Sequence, residues 1–500
     1  MITLEKNSGL ILLKSKFFIY RMVSYFLFLL CPVWLQKYYS INKVYVLILM
    51  ILYMGFMVGQ WFLLGKEIDH RFKIYFRVNS SIDRVVYRLV LGMGVMAFYF
   101  NLLSLIPSKW ALNCFWITWI ILGLYYSWPN RGKIIQEGMS SNFGEFKFLD
   151  SFEKTLVFLI VILFFVSIPE LPKLNNLNAV KLYFDSFDRF HVQYWNFLTT
   201  LYFPFMKHPN LLKLAIGLHF YIINMGIFLI TLYAFLRFFV SRRLSLLGVF
   251  ALISSWSFSK TMVFSPHNCT QGTLSLLIIW SAFFIIKSST YRSGLFWGIL
   301  IYFVSIVNAG YFLVTLALTF LLYSLFLQER TLWFRRQFLK YCTFGIGLSL
   351  IVVITKEQSF EPYNTITWEY VREIIGYIYQ KAFYWLAIIG VPIFILGALF
   401  SSNSKLAFFK FNRERYYRLG LIYLLFFVSS FILDSFLVQS FGALWIICLF
   451  SLIPLEFLFQ SMSRIRSKRN MIYLVYILIC LLDSHFEGRI KIFLKIFDTI

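Results

Sequence analysis

The chain has 500 residues, of which 60% are hydrophobic, 21% are aromatic and only 14% are charged. This composition excludes an ordinary soluble globular domain and predicts an integral membrane protein. The formal net charge of +25 does not indicate a nucleic-acid-binding protein, because the basic residues fall in short clusters between apolar runs, as they do in membrane proteins.

Long apolar runs recur from one end of the chain to the other. A helix needs about 17–25 such residues to cross a bilayer core of about 30 Å, whereas an outer-membrane barrel would show alternating strands. The sequence therefore predicts an all-α, polytopic membrane protein with about fifteen transmembrane helices. The predicted spans are Phe17–Leu35, Val44–Leu64, Val85–Ile106, Trp110–Trp128, Leu156–Ile168, Leu211–Leu236, Leu244–Phe258, Gly272–Ile286, Gly294–Val307, Tyr311–Leu327, Tyr341–Ile354, Phe383–Phe400, Leu419–Leu433, Phe441–Phe459 and Met471–Leu482.

The first span is expected to remain in the mature protein, because no small-residue cleavage site follows it. The six cysteines are scattered along the chain and predict neither a disulfide framework nor a metal cluster.

Lysine and arginine alternate between successive connectors, as the positive-inside rule requires of a multi-span protein. The basic connectors are the N-terminus, Lys66–Arg84, Arg131–Lys154, Arg237–Arg243, Lys287–Arg292, Arg330–Lys340, Lys405–Arg418 and Arg464–Arg469. The other connectors are Gln36–Lys43, Pro107–Lys109, Pro169–Asn210, Ser259–Gln271, Asn308–Gly310, Thr355–Ala382 and Asp434–Ser440. We therefore expect a multi-pass protein of the cell (inner) membrane with a cytoplasmic N-terminus and with both long loops outside.

The Gly-, Asn- and Ser-containing segment 129–154 is the best domain boundary in the sequence. It predicts a four-span region over residues 1–128, a cytoplasmic linker over 129–154, a membrane core over 155–354 with outer loop 169–210, and a C-terminal membrane region over 355–500 with outer loop 355–382. No internal repeat is visible. Apart from Gly92 and Gly94, no prominent glycine-mediated helix packing is expected.

The polar insert Pro169–Asn210 concentrates ionisable groups between two apolar runs. On a helix, the spacing of Asp185, Asp188 and Arg189 would place all three on one side. A partly buried carboxylate has a raised pKa and could serve as a general base. The same spacing also fits a solvated Asp185–Arg189 ion pair without a chemical role, and His191 fits either a proton shuttle or an interfacial structural residue.

Other polar residues allow further interpretations. His208 and His267 fall on the same predicted side as His191, but no two of the three share metal-ligand spacing on one helix, so the sequence motifs indicate no metal site. His219, Asn224 and Asn308 fit either hydrogen bonds between helices or a transport pathway. No nucleotide-binding loop, serine-hydrolase elbow or zinc-protease motif occurs.

From Glu170 to about Leu327 the layout resembles the GT-C superfamily of membrane glycosyltransferases, such as protein O-mannosyltransferases and the aminoarabinose transferases of lipid A. The matching features are a span followed by a long outer loop with the acidic motif FDSFDRFH. The segments KHPNLLKLAIGLHF, FVSRRLSLLG and SFSKTMVFSPHNCTQGTLSLLIIW come next. The resemblance implies a GT-C-like arrangement from about residue 155 onward. Asn268 and Gln271 depart from the family pattern, since many members carry an acidic residue in this second outer loop.

The activity that this resemblance implies is the inverting transfer of a sugar from a polyprenyl-phosphate donor to an acceptor on the extracytoplasmic face. Asp185 or Asp188 would be the base, and which of the two is left open. The predicted substrate-binding residues are Arg189, His191, Lys207, His267 and Arg372. Each of the three cations, Arg189, Lys207 and Arg372, could bind the leaving phosphate. Each could equally be an interfacial residue whose side chain extends its charge to the membrane–water interface.

The expected partners are a polyprenyl-phosphate-linked sugar donor, a glycan, lipid or protein acceptor, and membrane lipid, with no nucleic acid. The cofactor is unknown, because some relatives use a divalent metal and others do not. The main alternative is a non-enzymatic transporter or lipid flippase, and a third is an assembly subunit of an envelope polysaccharide system. Transporters often contain inverted repeats, and their absence from this sequence favours the enzyme.

Overall fold

The structure is a computed structural model that describes only part of the chain. The described residues are 23, 25–37, 43–74, 81–103, 106, 108–127, 149–167, 201–205, 208–255, 266–287, 290–307, 310–355, 382–399, 413–425, 442–461, 468–482, 484, 488–491 and 494. Within these ranges the secondary structure is helical, and no strand occurs.

The helices follow the predicted spans in order, and each predicted span overlaps one helix of the described part. They are α1 (Tyr25–Lys37), α2 (Lys43–Phe72), α3 (Ser81–Leu103), α4 (Ser108–Ser127), α5 (Ser151–Val166), α6 (Pro209–Leu218, continued by a π-helical segment His219–Asn224 and by Met225–Leu236), α7 (Arg242–Ser254), α8 (Pro266–Lys287), α9 (Ser293–Val307), α10 (Gly310–Leu321, with a π-helical end Leu322–Phe326), α11 (Leu332–Thr355), α12 (Ala382–Leu399), α13 (413–425), α14 (Gly442–Ser461) and α15 (Arg469–Leu482).

Four helices of the described part are long and apolar enough to cross a membrane: Val44–Phe72, Ser81–Leu103, Asn210–Leu236 and Leu332–Ile354. Shorter apolar helices accompany them along the rest of the described chain. The all-helical structure and these lengths support a helical membrane protein. The number of spans stays a prediction.

Several helices of the described part extend beyond their apolar runs into segments that the sequence assigned to basic connectors, and α2 and α11 do so by the most residues. Helix α2 continues to Phe72 rather than ending at Leu64, and its added turns carry Asp69, whose carboxylate accepts a hydrogen bond from Arg88 Nε at 3.0 Å. Helix α11 begins at Leu332 rather than Tyr341. These added turns accommodate charged residues because the side chains have partners on neighbouring segments, Arg88 for Asp69 and the Tyr323 carbonyl oxygen for Arg335.

Helix α5 begins at Ser151, inside the predicted linker 129–154, because Asp150 caps it. The carboxylate of Asp150 accepts a hydrogen bond from Glu153 N at 2.8 Å, and Glu153 accepts one from Asp150 N at 3.0 Å, which forms a capping box. Partial burial opposes ionisation of Asp150, but the Glu153 N–H and the Arg243 guanidinium outweigh it, so the pKa of Asp150 lies below its usual range.

Glycines bring several helix pairs into backbone contact, contrary to the prediction that only Gly92 and Gly94 would matter. A Cβ atom on Gly345 of α11 would overlap the carbonyl group of Gly298 on α9, and one on Gly294 would overlap the carbonyl oxygen of Phe338. Gly294 and Gly298 form a G-x-x-x-G pair in the segment GLFWG. The sequence analysis did not predict a role for this pair. Small residues permit such close crossings in membranes.

The hydrophobic core is continuous across the predicted domain boundaries. One cluster of buried side chains extends from Phe28 on α1 to Cys480 on α15. Phe28 on α1 joins this core by stacking on Tyr53 and Phe56 of α2 at centroid distances of 4.8 and 4.2 Å. The four N-terminal helices therefore share their core with the rest of the bundle.

The basic connectors contact one another, which defines a basic end of the bundle. Arg243 pairs with Asp150, Arg415 donates to the Phe238 carbonyl oxygen at 2.7 Å, and Arg292 donates to the Phe72 carbonyl oxygen at 3.1 Å. Each of these contacts joins two segments of the basic set. Assignment of this end to the cytoplasm stays a prediction.

Candidate functional site

Both flanks of the acidic insert are fixed at the end of the bundle opposite the basic end, which we call the insert end. Before the insert, the Ser167 hydroxyl accepts a hydrogen bond from Arg489. In the C-terminal part of the insert, the Pro204 carbonyl oxygen accepts one from Gln36 Nε2 at 2.7 Å. Residues 168–200, between these anchors, lie outside the described residues. The two anchors show where the chain leaves the described bundle and where it returns.

A group of buried polar side chains, which we call the polar layer, lies next to the second anchor. Its members are Tyr202, His219, Asn224, Thr270, Thr273, Ser275 and Tyr311. The Tyr202 hydroxyl and His219 Nδ1 are 2.8 Å apart, and both side chains are fully buried. This contact ties the C-terminal part of the insert to the middle of α6.

The rest of the polar layer connects α6, α8 and α10. Asn224 Nδ2 donates to Thr270 Oγ1 at 2.9 Å, and Thr273 Oγ1 donates to the Asn224 carbonyl oxygen at 3.2 Å. The hydroxyls of Ser275 and Tyr311 lie 2.9 Å apart. Asn224 therefore has the interhelical hydrogen-bonding role that was one of its two sequence interpretations.

The π-helical segment His219–Asn224 positions two members of this layer. A π-turn inserts one extra residue into an α-helix and shifts the side chains that follow it, and such segments are frequent at functional sites. Here the segment begins at His219, which contacts Tyr202, and ends at Asn224, which contacts α8. The distortion thus lets one helix bind the insert flank and a neighbouring helix.

Among the described residues at the insert end, Arg489 is the most deeply buried cation, with 2% of its surface exposed. Its guanidinium donates to the carbonyl oxygens of Ile253 at 2.9 Å, Ser254 at 2.6 Å and Ser484 at 2.7 Å, and also to Ser167. The carbonyl groups at a helix C-terminus carry partial negative charge. Arg489 therefore caps α7 and joins it to the C-terminus of α5.

The predicted site residues fall almost entirely on parts of the chain that the structure leaves undescribed. Outside the described residues lie Asp185, Asp188, Arg189, His191, Lys207 and Arg372. His267 is in the first turn of α8, where only its backbone is described. Their catalytic and binding roles stay predictions.

Among the described residues, no group of three or more His, Cys, Asp or Glu side chains is arranged to hold a metal ion. His191 lies outside these residues.

Sequence reasoning missed Arg489 and its place beside the insert. A signal was present, since with fifteen spans the C-terminal segment falls on the side poor in basic residues, yet it contains Arg489, Lys491 and Lys495. Basic residues on the side that should be poor in them are informative because they depart from the positive-inside rule.

No family model, no curated protein and no solved structure matches this chain.

Proposed function

We propose that the protein is an integral membrane glycosyltransferase of the GT-C type. It transfers a sugar from a polyprenyl-phosphate donor to an acceptor on the extracytoplasmic face, with inversion. The observation that carries the proposal is the acidic insert Pro169–Asn210, whose Asp185 and Asp188 are close together in sequence between anchors at the insert end. The sequence resemblance to GT-C enzymes adds the donor class and the reaction.

The reaction requires a base, a positive environment for the leaving group and a water-poor site. One aspartate of the insert takes the proton of the acceptor hydroxyl as its oxygen attacks the anomeric carbon. The bond between that carbon and the phosphate oxygen breaks, and its electron pair leaves with the polyprenyl phosphate. Arg189, Lys207 and Arg372 would stabilise this phosphate.

The substrate also needs groups that orient it. His191 and His267 would hydrogen-bond to the sugar or the phosphate, because an imidazole can donate and accept. A glycan, lipid or protein could supply the acceptor hydroxyl.

The polar layer supports the proposal by giving the insert a rigid foundation. Catalytic groups must be held within about 0.5 Å of a productive geometry, and this depends on supporting residues with fixed side chains. The hydrogen bonds between Tyr202 and His219 and between Asn224 and Thr270 are buried, so water does not compete for them. The C-terminal part of the insert is consequently attached to α6 and, through it, to α8.

Replacement of the catalytic aspartate should abolish transfer while leaving the protein folded. We expect either Asp185→Asn or Asp188→Asn to reduce sugar transfer by about 10²–10⁴-fold, the usual contribution of a general base. The measurement is transfer of radiolabelled sugar from polyprenyl phosphate in membranes, normalised to protein level. Glu329→Gln, which removes an exposed carboxylate at the basic end, is the matched control and should retain the wild-type rate.

If both aspartate variants transfer sugar at the wild-type rate, neither aspartate is the general base and the proposal is overturned. The transporter or flippase alternative is tested with the same preparations in liposomes. Lipid scrambling or solute uptake that follows the amount of protein, without sugar transfer, would favour that alternative.

A further inference from the structure

Helices α5, α7 and α15 end close together at the insert end. They end at Val166, Ser254 and Leu482, and the guanidinium group of Arg489 contacts residues at or just beyond all three ends. The carbonyl groups at a helix C-terminus carry partial negative charge, which favours a cation beside them. Arg489 is therefore placed where three helix ends attract its charge.

Different nitrogen atoms of Arg489 bind different helices. Nη1 donates to the Ser167 hydroxyl after α5 and to the Ile253 carbonyl oxygen of α7 at 2.9 Å. Nη2 donates to the Ser254 carbonyl oxygen at 2.6 Å, and Nε donates to the Ser484 carbonyl oxygen after α15 at 2.7 Å. We call Arg489 and these four partners the Arg489 junction. Because a guanidinium is planar and rigid, the junction fixes the three helix ends relative to one another.

The Arg489 junction is closed to water. Arg489 and all four of its partners in the junction are buried. Water does not compete for hydrogen bonds in such a place, and they are stronger there than at an exposed surface. The junction is therefore a firm attachment point for the segments that leave it.

Two of the segments that leave the Arg489 junction carry predicted site residues. The insert starts shortly after Ser167 and contains Asp185 and Asp188. The second outer loop, Ser259–Gln271, follows α7 and contains His267. The junction thus determines how far apart, and in which direction, these two segments start.

We propose that Arg489 is a positioning residue of the sugar-transfer reaction, which holds the start of the insert and the start of the second outer loop in one arrangement. This inference rests on the proposed function, since the insert supplies the base and the second outer loop supplies His267. A displacement of the reacting groups by about 1 Å can reduce a rate by about 10²-fold. In this role Arg489 acts through the chain and does not contact the substrate.

Ser167→Ala tests the link between the Arg489 junction and α5 without removing the arginine. The Ser167 N–H keeps its hydrogen bond to the Leu163 carbonyl oxygen at 2.9 Å, so α5 itself stays formed. In the purified full chain, hydrogen exchange of the last turn of α5 should rise about fivefold, the factor that one hydrogen bond contributes. The last turn of α7 should exchange at the wild-type rate. Ser349→Ala, which removes a buried hydroxyl bonded within α11, is the matched control and should change neither turn.

Arg489→Lys tests the positioning of both segments. Hydrogen exchange should rise at the ends of both α5 and α7, because a lysine cannot reproduce the arrangement of donors. We expect kcat for sugar transfer to fall about tenfold or more in this variant, and kcat/KM for the donor to fall equally, since the displaced groups act in the transition state. Ser167→Ala should show a smaller loss of the same kind. Rates are measured on folded, monodisperse protein, so that a role in stability alone would leave kcat unchanged.

Wild-type exchange at the end of α5 in Ser167→Ala would overturn the Arg489 junction. Raised exchange in Ser167→Ala and Arg489→Lys together with wild-type kcat would overturn the positioning role. Failure of the proposed function is seen separately, as wild-type transfer by the two aspartate variants or as no transfer by the wild-type protein. In a protein without transfer the positioning role is overturned with it, and the exchange measurement still decides whether the junction exists.

Discussion

Replacement of Gly345 by alanine is expected to disrupt the packing of α9 against α11. The new methyl group would overlap the carbonyl group of Gly298, and the overlapping atoms belong to the backbone and cannot rotate away. The two helices would have to separate along a crossing that also contains Gly294. Overpacking a core costs about 1–3 kcal/mol when side chains can adjust, and we expect a loss of about 3 kcal/mol or more here.

The thermal midpoint of the purified protein in detergent measures this loss. Gly347→Ala is the matched control, because it makes the same change two residues away, where a Cβ atom would meet nothing within 4 Å. The control should be neutral or slightly stabilising, since alanine favours a helix over glycine. Similar midpoints for Gly345→Ala and Gly347→Ala would show that α9 and α11 are not in backbone contact.

Replacement of Arg489 by methionine is expected to have the second large effect. The substitution keeps a long side chain but leaves the carbonyl oxygens of Ile253, Ser254 and Ser484 without their guanidinium donor. Each buried polar group that loses its partner costs about 1–3 kcal/mol. The combined loss should reach several kcal/mol and lower the thermal midpoint sharply.

Arg489→Lys should recover part of this stability, because a lysine keeps the charge but cannot reproduce the planar arrangement of donors. Arg336→Met makes the same change as Arg489→Met at an exposed position of α11 and should leave the midpoint unchanged. If Arg489→Met and Arg336→Met unfold at the same temperature, Arg489 does not join α5 to α7.

The helices could be predicted from the sequence because bilayer thickness sets the length of an apolar run. The ends of the helices could not be predicted in this way. Asp69 and Arg335 were assigned to connectors since they are charged, but each lies on a helix. Asp69 contacts Arg88, and Arg335 Nη1 donates to the Tyr323 carbonyl oxygen at 3.2 Å. A hydropathy profile does not show which charged residues will have such partners.

Contacts between distant parts of the chain account for the other differences. Arg489 and Ser167 are 322 residues apart, and no local pattern indicates that they meet. The close crossing of Gly298 and Gly345 likewise requires that α9 and α11 be known neighbours, although the spacing of Gly294 and Gly298 was visible. The polar layer was partly anticipated, since His219 and Asn224 stood out as polar residues within an apolar run.

The sequence and the structure give different information about the acidic insert. The sequence predicts the reactive groups Asp185 and Asp188, and the structure describes the anchors on either side of them, Ser167 and Pro204. Both depend on one requirement: the insert and the arginine-rich connectors must lie on opposite faces of the membrane.

Labelling of single cysteines in intact cells with a membrane-impermeant thiol reagent tests that requirement most directly. In a cysteine-depleted protein, Ser186→Cys lies between the two aspartates, and Gln328→Cys lies at an exposed position of the turn between α10 and α11. The account predicts that Ser186→Cys reacts in intact cells and that Gln328→Cys reacts only after the membrane is opened. Protection of Ser186→Cys together with labelling of Gln328→Cys would place the carboxylates on the cytoplasmic face and contradict the account.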